Sequence, residues 1–119
     1  MKRILVVDDN KDILVVVQII LENHGYIVKG IWRGEETLET IKDFVPDMVL
    51  LDIFLGSVSG IIICEEIKKL YPKLCVVMFS AHAKRDDVLK LCPANGFIEK
   101  PFEIQDLLKT IEEEMGKCD

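Results

Sequence analysis

The sequence predicts an α/β domain built on a doubly wound parallel sheet. Three observations predict it. Apolar runs of strand length alternate with helical patterns five times. The strand runs are almost continuously apolar, as strands buried on both faces are. No internal repeat, linker or domain boundary interrupts the alternation.

Lys2–Val7 is a compact β-type run. The spacing predicts a helix over Lys11–Asn23, with Ile13, Leu14, Val17, Ile20 and Leu21 on its core side. Gly25 opens a second strand, Tyr26–Ile31, and a short helix near Gly34–Lys42 turns Leu38 and Ile41 inward. Pro46 punctuates before the most apolar strand, Asp47–Leu51, and Leu55–Gly60, with two glycines and two serines, reads as a loop. Ile61–Leu70 is helical, with Ile63, Ile67 and Leu70 on one side. Leu74–Phe79 is the fourth strand, and Pro93 stops a short helix near Lys84–Leu91. Phe97–Glu99 is the fifth strand, and Glu103–Met115 closes the chain as a helix facing the core with Ile104, Leu107, Leu108, Ile111 and Met115. With right-handed crossovers the natural packing is a flavodoxin-like (βα)5 sheet of strand order 2-1-3-4-5. Functional groups in such sheets gather at the carboxyl ends of the strands, near the switch point between strands 1 and 3.

The 119 residues suit a single domain over 1–119, with no effector domain in this chain. Half of the residues are apolar and 30% are charged, which excludes a disordered or low-complexity chain. No apolar run approaches the ~20 residues that span a bilayer, and Met1–Asp9 ends in two carboxylates, the wrong build for an export signal. A cytoplasmic protein is expected. The net charge of −6 without a basic stripe argues against direct nucleic-acid binding. Cys64, Cys75, Cys92 and Cys118 form no C-x-x-C pair, and His24 and His82 lack a metal-like spacing. The cysteines read as core-filling or surface thiols in a reducing compartment.

Four of the five strands deliver polar groups to one rim: Asp8-Asp9, Asp52, Ser80 and Lys100-Pro101. Crowded carboxylates repel one another and raise each other's pKa unless a cation joins them. An all-oxygen donor set favours a hard divalent ion, Mg²⁺ above all, because Mg²⁺ keeps several waters and takes one or two carboxylates plus phosphate oxygens.

Val6-Val7-Asp8-Asp9-Asn10, Leu50-Leu51-Asp52-Ile53, Phe79-Ser80-Ala81 and Lys100-Pro101-Phe102 together resemble the response-regulator receiver family of two-component signalling, the chemotaxis-regulator kind. The order, spacing and strand-end placement match across essentially the whole chain. The resemblance implies that Asp52 is the phosphoacceptor, and that Asp8, Asp9, Asp52 and the Phe54 main-chain carbonyl hold Mg²⁺ or Mn²⁺. It implies that Lys100 neutralises phosphoryl oxygens and that Ser80 and the Ala81 N–H donate to them after transfer. It also implies a cis bond before Pro101, and a switch in which Ser80 moves toward the phosphate and Phe97 swings inward. Phe54 and His82 are expected to flank the path of an attacking water, with Phe54 slowing hydrolysis of the aspartyl phosphate.

The partner implied is a sensor histidine kinase or histidine phosphotransfer protein. It is expected to dock on Val15 and Ile19, which point away from the sheet, with Val16 at the border of that face. Output is expected through a downstream protein partner, from a monomer or weak dimer. Two alternatives stay open: a phosphorelay intermediate, and a receiver fragment of a larger response regulator or hybrid kinase. The domain is expected to be a signalling device and not a metabolic enzyme. An Asp-nucleophile phosphohydrolase would carry an acid two residues after the nucleophile, where this chain has Phe54.

The chain departs from the family pattern in two places. Gly56, with Ser57 and Ser59 nearby, stands where a proline is usual, which suggests a more mobile loop. The stretch between Ser80 and Lys100 is slightly short, with Cys92-Pro93-Ala94-Asn95 ending it, so the fourth helix is expected to have about two turns.

Overall fold

A computed structural model describes residues 1–81 and 84–118. Five parallel strands form one sheet: β1 (Arg3–Val7), β2 (Ile27–Ile31), β3 (Met48–Asp52), β6 (Cys75–Ser80) and β7 (Gly96–Glu99). Their order is β2-β1-β3-β6-β7. This is the expected 2-1-3-4-5 once a small antiparallel ribbon, β4 (Phe54–Leu55) with β5 (Val58–Ser59), is set aside.

The strand residues alternate between two cores. Ile4, Val6, Met48, Leu50, Val77 and Phe79 face one layer with Leu14, Val17 and Leu21 of α1 (Lys11–Asn23) and Leu107 and Ile111 of α5 (Ile104–Cys118). Leu5, Val7, Val49, Leu51, Val76 and Met78 face the other. That layer takes Ile41 of α2 (Thr37–Phe44), Ile63 and Ile67 of α3 (Gly60–Leu70) and Val88 of α4 (Arg85–Leu91). Both faces of the central strands are therefore dry, which explains their unbroken apolar sequence. Burying each such side chain contributes about 1.5–3 kcal/mol relative to exposure.

Several local expectations change. Residues 55–60 are not a simple loop: Phe54 pairs with Ser59 and Leu55 with Val58, and Gly56 takes the turn at φ +69, a conformation that favours glycine. A two-stranded ribbon thus stands where a loop is expected. Gly60 already belongs to α3. Leu70 is exposed because α3 ends there, and Cys64 fills the inner face in its place. Ile104, at the start of α5, is likewise exposed. The second helix begins as a 3-10 turn, Gly34–Glu36, before α2. The short fourth helix is as expected, seven residues long.

Gly60 fixes the site's floor. Its N–H donates to the Ile53 carbonyl at 2.7 Å. A Cβ there would lie 1.9 Å from the main-chain oxygen of Asp52 and 2.9 Å from the Ile53 Cα, both backbone atoms that cannot give way singly. At Gly34 a Cβ would meet only side chains, Ile63 and Leu55, at 3.0–3.3 Å. Gly60→Ala should therefore destabilise the fold by about 3 kcal/mol in urea unfolding, and Gly34→Ala by about 1 kcal/mol. Equal losses at the two positions would refute the backbone-contact argument.

Candidate functional site

The rim at the carboxyl ends of the strands is built by register. Parallel pairing sets Val7 of β1 beside Leu51 of β3, so Asp8 and Asp52 leave adjacent central strands at one level. The Asp8 N–H donates to the Ile31 carbonyl at 3.1 Å, prolonging the β1–β2 ladder past the last strand residue. Asn10 then starts α1: its side-chain oxygen accepts from the N–H groups of Asp12 at 3.0 Å and Ile13 at 3.3 Å. The capping role thus falls to Asn10 and not to Asp9. On the far side, the Lys100 N–H donates to the Ser80 carbonyl at 2.9 Å, which aims Lys100 back across β6. The Lys100–Pro101 bond is cis, as expected.

The Lys100 ammonium reaches two carboxylates, Asp8 Oδ2 at 2.5 Å and Asp52 Oδ2 at 3.4 Å. It also sits over the Phe79 ring, 4.3 Å from the centroid, and Phe79 in turn packs on Phe102 at 5.6 Å between centroids. Asp8 is wholly buried and Asp52 nearly so, while Asp9 is exposed. Asp8 Oδ1 accepts from the Asn10 N–H at 2.9 Å, and Asp52 Oδ1 from the Phe54 N–H at 3.4 Å.

One oxygen from each of Asp8, Asp9 and Asp52 lies within 4.8 Å of the others. These donors are all carboxylate oxygen, which fits a hard divalent cation and not a thiolate- or imidazole-seeking metal. A cleft of about 320 Å³ opens onto them, lined by Asp8, Asp9, Asn10, Ile13, Asp52, Phe54, Ala81 and Lys100.

The sequence-derived residues divide accordingly. Asp8, Asp9, Asp52, Phe54 and Lys100 converge on the cleft. Ser80 ends β6 with its side chain buried and does not line the cleft, whereas its neighbour Ala81 does. Phe97 is half-buried and packs against the α2–α4 core. Pro101 stands on the outer side of the rim with Phe97 and Phe102. Val15 and Ile19 are exposed on α1, and Val16, expected at the border, is exposed with them. His82 lies outside the described residues. Phe79 was missed as a site residue, because a Phe inside an apolar strand run carries no signal beyond core packing.

Burial pushes the Asp52 carboxyl up to about 6; the Lys100 ammonium pulls it down, the Asp8 charge adds to the rise, and the Phe54 N–H opposes it. The folded value exceeds the unfolded one, so the folded state binds more protons between about pH 4 and 6 and loses stability as pH rises through that window. In metal-free protein Asp52→Asn should thus be more stable than the parent at pH 7.5, by about 1–3 kcal/mol. The advantage should shrink as pH falls through 6 and vanish near 4, and excess divalent cation should reduce it at neutral pH. Melting curves in chelator at several pH values check this; a pH-independent difference would contradict it.

Comparison with known proteins agrees with this geometry. A model of the response regulator receiver domain matches residues 4–112. A CheY-like response regulator receiver domain protein from Methanospirillum hungatei JF-1 is 32% identical, with a TM-score of 0.91 over 99% of this chain and 96% of that one. A response regulator receiver domain protein from Clostridium thermocellum is 29% identical, with a TM-score of 0.89 over 98% of this chain and 96% of that one. NtrX from Brucella abortus, in complex with ADP, is 35% identical with a TM-score of 0.88, over 98% of this chain but only 26% of NtrX. In sequence and in fold, the chain belongs to the response regulator receiver domain family.

Proposed function

We propose that this receiver domain is a phosphorylation-dependent switch in which Asp52 accepts a phosphoryl group from the phosphohistidine of a sensor histidine kinase or phosphotransfer protein. The observation that carries the reading is the Lys100 ammonium, held between Asp8 and Asp52 at the mouth of a cleft lined by three carboxylates. An Asp52 oxygen attacks phosphorus while the bond from phosphorus to the donor imidazole nitrogen breaks, and its electron pair returns to the imidazole. Charge spreads over the phosphoryl oxygens in transfer, and fixed positive charge there lowers the barrier. Lys100 is the protein's own positive group at that point. Asp8, Asp9 and Asp52, with the Phe54 carbonyl, would hold Mg²⁺ or Mn²⁺, which when bound neutralises further phosphoryl charge.

The phosphoryl group adds about one to two negative charges at the ends of β3 and β6. Ser80 then turns its hydroxyl toward the phosphoryl oxygens, and Phe97 follows into the space it leaves. Moving a two-state element from 1:99 to 99:1 takes about 5.5 kcal/mol, which a few charge-assisted hydrogen bonds of about 1.5–3 kcal/mol each supply. Val15, Val16 and Ile19 offer the phosphodonor an exposed apolar face beside the rim. A second reading rests on NtrX, where the matching region is 26% of the chain: here too the domain would serve as the receiver part of a larger regulator.

Acetyl phosphate with Mg²⁺ should add one phosphoryl group to the intact mass, and chelator or Asp52→Asn should abolish the gain. Rapid turnover of many phosphate esters without a stable adduct would favour a phosphohydrolase instead. Lys100→Ala should slow acceptance by about 10²-fold or more. Phe54 is exposed and lines the cleft, so Phe54→Asn should speed loss of the phosphoryl group by admitting water; an unchanged lifetime would remove Phe54 from that role.

A further inference from the structure

Away from the rim, the fold brings the four cysteines together as two pairs. Cys64 and Cys92 are both buried in the α2–α4 layer, and Cys75 and Cys118 meet in the α1–α5 layer. Cys75 opens β6 and is wholly buried, whereas Cys118, on the last turn of α5, keeps partial access to solvent. The Cys75 thiol donates to the Glu114 carbonyl at 3.6 Å. Glu114 lies one helical turn before Cys118, so that thiol rests on the turn that carries Cys118. Cys118 packs against the same buried cluster that contains Cys75. The phosphoryl chemistry uses neither.

We propose that Cys75 and Cys118 form a thiol modification site that closes to an intramolecular disulfide on meeting a low-molecular-weight disulfide. The Cys118 sulfur, after losing its proton to solvent, attacks one sulfur of the oxidant and expels a small thiolate, leaving a mixed disulfide on α5. The Cys75 sulfur then attacks Cys118, its proton passing to solvent, and a second small thiol departs. Two protein thiols are oxidised and one external disulfide is reduced to two thiols, so electrons and protons balance.

Access selects this pair: among the four cysteines only Cys118 reaches solvent, and Cys64 and Cys92 give an oxidant no point of entry. Burial, with the Cys118 side chain and Glu114 nearby, pushes the Cys75 thiol up. Closure is therefore slow and waits on loosening of the last turn of α5. The same environment makes Cys75 a poor leaving group, so dithiothreitol reopens the closed bond slowly. The bond ties the end of α5 to the start of β6, at the pole opposite Asp52, across a long loop of chain.

The test incubates the full chain with excess oxidised glutathione, then alkylates the remaining thiols under denaturing conditions. Intact mass should show two thiols protected, and a non-reducing peptide map should join the Cys75 and Cys118 peptides. The melting temperature should rise by at least about 5 °C and return with dithiothreitol. Cys118→Ser should fold with a reduced-state melting temperature like the parent's, show no protected pair and no oxidant-dependent rise. A persistent glutathione adduct on Cys118, a dimer bridged by Cys118, a Cys64–Cys92 bond, or four alkylated thiols would each overturn the proposal.

Discussion

Everything at the rim depends on one ammonium group compensating negative charge that the fold has taken out of water. Asp8 and Asp52 end the two central strands, where both faces of the sheet are covered, so their carboxylates are desolvated by position. Leaving such a charge unpaired costs several kcal/mol. The compensating group comes from the sheet's far edge. Lys100 follows β7, and its N–H bond to the Ser80 carbonyl directs the side chain back over β6 and the Phe79 ring toward β3 and β1. The strand order is thus an electrostatic requirement as well as a packing one.

The compensation is incomplete, and on the proposed reading the deficit is what makes the site receptive. Three carboxylates face one ammonium, and Asp52 remains raised toward 6 despite its contact with Lys100. A divalent cation held by these carboxylates would relieve that repulsion. On the proposed reading a phosphoryl group, arriving with its own negative charge, needs both the cation and the lysine, so loading of metal and of phosphate favour each other. The apolar support around the ammonium matters for the same reason: Phe79 and Phe102 hold it in a poorly hydrated place, where each of its interactions is stronger than in water.

Much of this was legible in the sequence because the governing patterns are local. Strand runs such as Met48–Leu51 and the α1 stripe of Leu14, Val17, Ile20 and Leu21 need only a period to be recognised. The topological rule then delivers Asp8, Asp9, Asp52 and Lys100 to one edge. What escaped depends on where elements stop or meet. Leu70 and Ile104 fit their helical stripes but lie at helix ends, beyond the reach of the sheet. The ribbon at 54–59 hides in a stretch whose Gly and Ser content reads as loop. The Phe79–Lys100 contact and the cysteine pairings are tertiary, joining residues with no spacing signature.

The two layers are not equally secured, and this bears on where a change of charge at Asp52 can be expressed. The α1 side is held by a helix with four buried residues and by the full length of α5. On the other face, beside β6 and β7, α4 is seven residues long and buries Val88 alone within its span, with Cys92 just past its end. Few buried apolar groups mean a low local free energy of displacement. Asp52 itself cannot move far, because Gly60 packs against its main-chain oxygen. On the proposed reading, a charge added there is accommodated on the β6–β7 side, at Ser80, Lys100 and Phe97. The helix covering that side, α4, has little buried apolar surface to lose.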